Sequence, residues 1–329
     1  MSTIGTGGDF TSITSWLNSL PGTLTEIETG ECKAEAFVEN VTINNSITAV
    51  DKYILLTASA TARHDGRANA VSGAGNARVD AGTTKSKKSI SISDDHCRVE
   101  WLEWLNAGGG PKAATHAFEI LGQTAADAVE HINANIIHND EQSSRNGNVA
   151  IRPTDPDADL ECYRNIVYGM GGSMFRNTDN SGHTNFYNNT GWKNNKSGDV
   201  LVKGVWSSLV NTTIKNNVSF DTSGADDYLI TNATTSNNAS TDATGDTGLI
   251  NLTATEELVN PSSLGFPNWS QTDLLQKSGA TLNDAGTALG APYDVDITGD
   301  TVTGTWDVGA DEVAGGGGVA VLRRRREGY

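Results

Sequence analysis

Carboxylates stand at alternate positions in the run PTDPDADLE, residues 153–161. The side-chain oxygens of Asp155, Asp157 and Asp159 have a spacing that can bind Ca²⁺, a cation that takes oxygen ligands. Leu160 occupies the position at which an EF-hand loop has its glycine, and the two prolines indicate an extended, exposed loop. A Ca²⁺ site and a solvated acidic loop are the two alternatives, and the charge pattern favours the loop.

A second acidic run, DVDITGD at 294–300, carries Asp294, Asp296 and Asp300. Aspartate side chains hydrogen-bond to backbone N–H groups close by in the chain and so cap tight turns. We interpret this run as turn capping, with Ca²⁺ binding as the alternative. Ca²⁺ is therefore the one cofactor that the sequence suggests, and no other is predicted.

Aromatic side chains fall on or beside the predicted strands and are candidates for stacking on sugar rings or for a subunit interface. Core packing is the alternative for each of them. Strand alternation in VEWLEWL, residues 99–105, places Trp101 on the face of Glu103 and Trp104 on the opposite face, so one of the two is expected outside. The candidates are Trp101, Trp104, Tyr163, Tyr168, Tyr187, Trp192 and Trp206.

The charge of the chain restricts its partners. The 329 residues carry a formal net charge of -17, and the pI is about 4.6. Binding to nucleic acid needs Lys and Arg at the phosphates, so nucleic acid is not an expected partner. The start, MSTIGTGGDF, lacks a basic region followed by an apolar core, so no secretory signal is expected. No apolar run approaches the length of a bilayer span, so no membrane is expected either.

Cys32, Cys97 and Cys162 are the three cysteines of the chain. Their number is odd and none lies in a CxxC pair, which argues against a disulfide scaffold and a zinc site. We expect reduced cysteines that pack in the core.

A single convincing helix is predicted, over 9–20. In GGDFTSITSWLNSLPG the residues Ile13, Trp16, Leu17 and Leu20 form one apolar stripe at helical spacing. Asp9 or Thr11 can cap its start, and the Pro-Gly pair at 21–22 ends it.

The rest of the chain reads as short β-branched runs that repeat. Strand-like segments occur at 36–43, 52–58 and 88–93, and later units each hold a strand, an asparagine and a second strand. The intervals between these asparagines are 30, 24, 28 and 21 residues. A repeat of this length indicates a solenoid. The asparagines are Asn135, Asn165, Asn189, Asn217 and Asn238.

These features predict an all-β fold, a single-stranded parallel β-helix solenoid with an N-terminal capping helix. Turns between the faces need left-handed backbone, which Asn and Gly tolerate. Stacked Asn side chains can hydrogen-bond from rung to rung. A β-sandwich is the alternative, but it would not need the asparagine to recur at one place in each unit.

Both ends of the chain carry the resemblance to a known family. The stretch IGTGGDFTSITSWLNSLPG resembles the N-terminal entry of pectate-lyase-like right-handed parallel β-helix proteins. The stretch PYDVDITGDTVTGTWDVGADE, 292–312, resembles the C-terminal closing motif of many β-helix repeat proteins. This superfamily includes polysaccharide lyases, glycoside hydrolases, esterases, phage tailspikes and non-catalytic virion proteins, so the resemblance implies a fold more than a function.

No catalytic set accompanies the resemblance. Lyases of this family use a basic residue to remove a proton beside a uronate carboxylate, and the hydrolases place carboxylates on neighbouring rungs. The run NTDNSGH, 177–183, is similar to parts of the galacturonase signature, but they fall within one loop, and we interpret it as a turn. The scattered cations, Arg152 and Arg176 among them, form no clear Arg-x-x-Lys pair. No catalytic residue is predicted, and a non-enzymatic role is favoured.

A glycine run and a basic peptide end the chain. AGGGG at 314–318 is typical of a flexible linker. The strand-like VAVL that follows could pair with a sheet edge, and the arginines could pair with carboxylates of a partner. The residues predicted to dock are Val319, Val321, Leu322, Arg323, Arg324, Arg325 and Arg326.

Four segments are predicted: an N-terminal cap with a short helix (1–24), β-helix rungs (25–291), the closing motif (292–313), and the Gly linker with its basic tail (314–329). The preferred function is a non-enzymatic virion protein, such as a phage head decoration, fibre or spike component, anchored by the tail. It would assemble in the host cytoplasm, contact other virion proteins and bind host surface glycans, and the family resemblance implies a homo-trimer.

Two alternatives stay open, a polysaccharide depolymerase of the lyase or glycoside hydrolase type and a bacterial surface adhesin. A depolymerase predicts a groove on one solenoid face with clustered Asp, Glu, Lys or Arg side chains. A decoration protein predicts a contact of the tail with another chain and no such cluster.

Overall fold

The computed structural model describes residues 1–313 except 45, 69–74, 82–87, 106–115, 122–127, 139–148, 155–158, 171, 179–181, 193–203, 221–225 and 262–272. Within this part, three parallel sheets run side by side along one axis. The chain visits sheet 1, sheet 2 and sheet 3 in turn and then begins the next rung, which makes the fold a right-handed parallel β-helix. The predicted fold class is confirmed.

The strand bounds follow this order. Sheet 1 holds β1 (Ser2–Ile4), β2 (Glu28–Cys32), β5 (Ile54–Ala58), β8 (Cys97–Glu100), β11 (Val129–Asn133), β14 (Asp159–Tyr163), β17 (Thr184–Tyr187), β20 (Thr212–Lys215) and β23 (Thr234–Ser236). Sheet 2 holds β3 (Ala36–Val38), β6 (Arg78–Asp80), β9 (Glu103–Leu105), β12 (Ile136–His138), β15 (Ile166–Tyr168), β18 (Thr190–Trp192), β21 (Val218–Phe220) and β24 (Ala239–Ser240). Sheet 3 holds β4 (Val41–Ile43), β7 (Ile90–Ile92), β10 (His116–Ile120), β13 (Val149–Pro153), β16 (Phe175–Asn177), β19 (Val205–Ser207) and β22 (Tyr228–Ile230).

Outside the solenoid, two helices and one strand pair are described. The helices are α1 (Ile13–Leu17) and α2 (Ala254–Glu257), and β25 (Leu258–Asn260) pairs antiparallel with β26 (Asp273–Gln276). No helix in the described part is long and apolar enough to cross a bilayer.

A two-residue turn joins sheet 1 to sheet 2 in successive rungs. Its first residue has a positive φ at Ala134 (52°), Arg164 (59°), Asn188 (51°), Asn216 (55°) and Asn237 (55°). The second residue is in each case one of the repeating asparagines. Left-handed backbone is costly for Ala and Arg, so the hydrogen bonds made by the second residue must hold the turn in place.

Those asparagines form a continuous hydrogen-bonded ladder, as the repeat predicted. The Oδ1 atom of Asn165 accepts from the backbone N and the Nδ2 atom of Asn135, at 3.0 and 3.3 Å. The same pair of bonds joins each asparagine to the next as far as Asn238. Both donors of Asn238 then bond to Oδ2 of Asp246, at 2.7 and 2.9 Å. Asp246 therefore ends the ladder by replacing the amide oxygen of a further rung.

Apolar side chains from all three sheets fill the solenoid. Phe175 of sheet 3 stacks on Phe186 of sheet 1 with ring centroids 4.3 Å apart, and Trp104 meets Phe118 edge to face at 4.9 Å. The three cysteines are free and buried, as predicted.

Helix α1 covers the first rungs and is shorter than the predicted 9–20. Ser12 caps it, not Asp9 or Thr11, because Ser12 and Ser15 form a reciprocal capping box. Asp9 accepts hydrogen bonds from Thr3 instead. Trp16 packs so closely on β2 that a Cβ atom on Gly30 would lie 2.7 Å from its ring.

Residues 292–311 lie along the side of the solenoid, against the turns between sheets 1 and 2. The backbone N of Ala310 donates to Oγ1 of Thr190 at 2.9 Å, and that of Gly309 donates to the carbonyl of Asn216 at 2.7 Å. At the end of the solenoid, Ser240 bonds to the carbonyl of Leu249 at 2.9 Å. The predicted segment boundaries stay predictions.

Candidate functional site

The outer face of sheet 3 gathers one glutamate, two arginines and one tryptophan from four successive rungs. Glu119 pairs in register with Arg152, and Arg176 pairs in register with Trp206. The residues that precede Arg152 in β13 and Arg176 in β16 pair with each other, so the two arginines are also neighbours. We call Glu119, Arg152, Arg176 and Trp206 the sheet 3 row. Neighbouring strands lie about 4.8 Å apart, so the sheet 3 row spans about 14 Å.

The sheet 3 row points away from the core. The residue before each member, for example Ile151 before Arg152, is a fully buried apolar side chain, and successive side chains of a strand alternate between faces. Both arginines and Trp206 are half-buried, whereas Glu119 exposes only 7% of its surface. The row is therefore part of the outer surface of sheet 3 and carries cationic groups.

Direct contacts hold these groups in position. The guanidinium carbon of Arg176 lies 4.4 Å from the centroid of the Trp206 ring, a cation–π contact. Lys88 forms an ion pair with Glu119. Three cations and one carboxylate thus share this face of a chain whose net charge is -17.

His116 supports Arg152 from the same strand as Glu119. Its Nε2 atom lies 3.1 Å from Nη1 of Arg152. An arginine only donates, so Nε2 accepts and the proton of the neutral ring resides on Nδ1. Burial lowers the pKa of His116 to about 4, and the charges of Arg152, Lys88 and Arg176 add to this effect. The ring is therefore neutral at pH 7.

This arrangement suits an anionic saccharide. Guanidinium groups bind carboxylates through paired N–H donors, and an indole face stacks on the apolar face of a sugar ring. The sheet 3 row presents both groups in line along the solenoid axis, the direction in which an extended polymer would lie.

Of the seven predicted aromatic residues, only Trp206 belongs to the sheet 3 row. Trp104 points into the core, where its Nε1 atom donates to Asn135 at 3.2 Å. Trp101 has a φ of 62°, so it is part of a turn, and the strand alternation applied to it was wrong. Arg63 and Gly299 cover it. These two tryptophans are packing residues.

The other four aromatic residues are also largely covered. Tyr168 and Trp192, in one register row of sheet 2, expose 2% and 1% of their surface. Tyr163 and Tyr187 lie on the outer face of sheet 1, where both meet Tyr293 edge to face at 5.0 and 5.1 Å. They therefore offer little surface for a sugar ring.

The metal prediction at 155–159 falls mostly outside the described residues and stays a prediction. Asp155 and Asp157 lie outside them, and Asp159 accepts a hydrogen bond from the backbone of His183. No group of three or more His, Cys, Asp or Glu side chains in the described part could hold a metal ion. In the second acidic run, Asp296 caps its turn by accepting from the N–H groups of Thr298 and Asp300, both at 2.9 Å, as the preferred interpretation expected.

The predicted docking residues of the tail, Val319 to Arg326, lie outside the described residues.

Sequence reasoning missed the roles of Lys88, His116 and Glu119 and treated Arg152 and Arg176 as scattered. A signal was present, because the four members of the sheet 3 row stand 16, 13, 13 and 11 residues before the ladder positions Asn135, Asn165, Asn189 and Asn217. Aligning the rungs on the ladder would have brought the row together.

Comparisons with known proteins give only remote similarities. No family model matches the chain, and no curated protein sequence matches it. Two crystal structures of a pectin methylesterase from Aspergillus niger, both deglycosylated forms, are 15% and 14% identical, with TM-scores of 0.41 and 0.43. They cover 82% and 81% of this chain and 95% and 94% of their own. The pectate lyase Pel9A is 13% identical with a TM-score of 0.26 and covers 92% of this chain and 91% of its own. Similarity this remote says nothing about activity.

Proposed function

We propose that the protein binds an anionic polysaccharide along the sheet 3 row. The observation that carries the proposal is the register that sets Arg152, Arg176 and Trp206 side by side on consecutive rungs. The two guanidinium groups would hold carboxylates of successive sugar units, and the indole would stack on a neighbouring ring. Because the chain has a net charge of -17, it can attract an anionic polymer only where several cations lie on the same face.

Cleavage of the bound polymer is the second candidate function. The observation that favours it is the position of Glu119 and His116 next to Arg152. Groups that can accept or donate a proton would then lie beside the carboxylate held by Arg152, which is the requirement for general acid–base chemistry at a sugar ring. This candidate corresponds to the depolymerase alternative, for which a cluster on one solenoid face was expected.

The virion role, the homo-trimer and the location on a particle stay predictions from the sequence. The anchoring depends on the tail, which lies outside the described residues, and the homo-trimer rests on the family resemblance. A glycan-binding surface is compatible with a virion protein and with a free enzyme.

Affinity electrophoresis of the full chain tests the binding proposal. Gels that contain polygalacturonate or alginate should retard the protein, and gels that contain dextran, a neutral polymer, should not. Equal mobility in all three gels would contradict the proposal. Cleavage would be shown if the wild type released reducing ends or unsaturated sugars from the retained polymer. The variant Glu119→Gln should then have lost this release.

A further inference from the structure

A different face of the solenoid carries four polar side chains whose bonding is incomplete. Arg98 pairs in register with His131, and Glu100 with Asn133, on the neighbouring strands β8 and β11 of sheet 1. All four point outward, because the residue between the two on each strand is fully buried. They occupy the corners of a rectangle of about 5 by 7 Å. We call them the sheet 1 patch.

Two buried atoms of the patch lack a hydrogen-bond partner among the described residues, Nδ1 of His131 and Oδ1 of Asn133. The guanidinium of Arg98 stacks on Tyr53, 4.2 Å from the ring centroid, and no described residue accepts a hydrogen bond from it. Asn133 uses its Nδ2 atom for Oε2 of Glu100, at 3.2 Å. Buried polar atoms of native proteins are nearly always bonded, so adjacent exceptions point to an external partner.

The neighbouring rungs of the same face show a complete network. Glu161, next to His131 in register, accepts from Asn185 at 2.6 Å and from the hydroxyl of Tyr293 at 2.7 Å. The hydroxyl of Tyr187 donates to Asn185 at 2.8 Å. On the described strands of sheet 1, the buried side-chain atoms without a hydrogen-bond partner are therefore confined to the sheet 1 patch.

The donors and acceptors of the patch define the chemistry of its ligand. Arg98 can only donate, whereas Oδ1 of Asn133 and the carboxylate of Glu100 can only accept. A ligand must therefore accept at one edge of the patch and donate at the other. A carboxylate or sulfate cannot donate and would meet the negative charge of Glu100. Hydroxyl groups do both, and adjacent hydroxyls of a pyranose ring do so at short spacing.

His131 fits the same ligand. Burial lowers its pKa to about 4, with Arg98 and His96 contributing in the same direction. At neutral pH the imidazole is uncharged and offers one donor and one acceptor, which matches a hydroxyl group.

We propose that Arg98, Glu100, His131 and Asn133 form a binding subsite for a neutral saccharide, on a face other than the anionic site of sheet 3. The protein would then contact glycans on two faces. Sheet 3 would bind carboxylates of a glycan by ion pairs, and sheet 1 would bind hydroxyl groups by hydrogen bonds.

Saturation-transfer NMR and titration calorimetry of the full chain with cellohexaose, mannohexaose, xylohexaose and maltohexaose test the proposal. At least one of the four should bind, and Asn133→Ala and Arg98→Gln should each weaken that binding by about tenfold, the value of one hydrogen bond to a neutral ligand. Thr234→Ala, an exposed outward residue at the far end of sheet 1, should leave it unchanged.

The same titrations separate this proposal from the one on sheet 3. Arg152→Gln/Arg176→Gln should leave the neutral sugar bound, and Asn133→Ala should leave polygalacturonate bound. Absence of binding by all four oligosaccharides, or binding that survives both Asn133→Ala and Arg98→Gln, would overturn the sheet 1 site whatever happens on sheet 3.

Discussion

Oδ1 of Asn189 accepts two hydrogen bonds from Asn165 of the previous rung, one from its backbone N and one from its Nδ2 atom, both at 2.9 Å. Asn189 in turn donates through both groups to Asn217 at 3.0 Å. The side chain of Asn189 is therefore hydrogen-bonded to the rung before it and to the rung after it. The ladder therefore couples the turns along the solenoid.

Replacing Asn189 with alanine should destabilise the protein by about 2–4 kcal/mol, because two buried donors of Asn165 lose their acceptor. Urea unfolding followed by circular dichroism measures the change. Asn18→Ala is the matched control, since Asn18 is exposed at the end of α1. A loss of stability no larger than that of the control would show that the ladder contributes little.

The side chain of Arg164, in a turn between sheets 1 and 2, holds the C-terminal segment 292–311 against the solenoid. Its guanidinium lies 5.1 Å from the ring centroid of Trp306 and donates to the carbonyl oxygens of Tyr293 at 3.1 Å, Ala310 at 3.4 Å and Gly309 at 3.5 Å. Arg164→Met should cost about 3 kcal/mol or more, as loss of a buried charged partner does. Hydrogen exchange should increase over 285–311.

Arg63→Met is the control for Arg164→Met. Arg63 also stacks on a tryptophan, 4.9 Å from the ring centroid of Trp101, but it is exposed. Its replacement should change the free energy of unfolding by less than about 1 kcal/mol. Similar effects for both variants would contradict the anchoring role of Arg164.

The pKa of Glu312 is raised to about 8, first by burial and then by the charge of Asp307. The folded-state pKa is higher than the unfolded value, so the contribution of this group is fully present below about pH 4.3 and is lost as the pH rises through about 8. Glu312→Gln should therefore be more stable than the wild type at pH 9 and should match it at pH 4. Thermal unfolding at the two pH values, with the exposed Glu256→Gln as control, measures this difference. An unchanged gap between variant and wild type at both pH values would rule out a titrating Glu312.

Trp206→Ala should weaken binding of the anionic polysaccharide several-fold, because it removes the stacking surface and the ring that holds Arg176. Trp206→Phe keeps an aromatic face and should retain most of the affinity. Titration calorimetry compares the two variants. Equal affinities of Trp206→Ala and the wild type would exclude ring stacking from recognition.

Much of the fold follows from local signals. The asparagine intervals located the turns between sheets 1 and 2, because a buried amide ladder leaves few other residue types at the second position of each turn. The apolar stripe of Ile13, Trp16 and Leu17 placed α1, although its ends moved because Ser12 and not Asp9 caps it. The segment 36–43 became β3 and β4, on two different sheets.

The sites depend on register, which local patterns do not contain. Arg152 and Arg176 stand 24 residues apart in sequence but become neighbours once β13 pairs with β16. The alternation rule failed at Trp101 because that residue is in a turn. Tyr168 and Trp192 are buried because of how the whole rung packs, and a short sequence motif does not predict that packing.

The most direct test of the central proposal is the dissociation constant for polygalacturonate of the double variant Arg152→Gln/Arg176→Gln, measured by calorimetry against the wild type. Each arginine–carboxylate contact contributes about 1.5–3 kcal/mol, so the double variant should bind at least about 100-fold more weakly. Arg98→Gln, which removes one positive charge from another face, should bind like the wild type. An unchanged dissociation constant in the double variant would contradict a polysaccharide site on sheet 3.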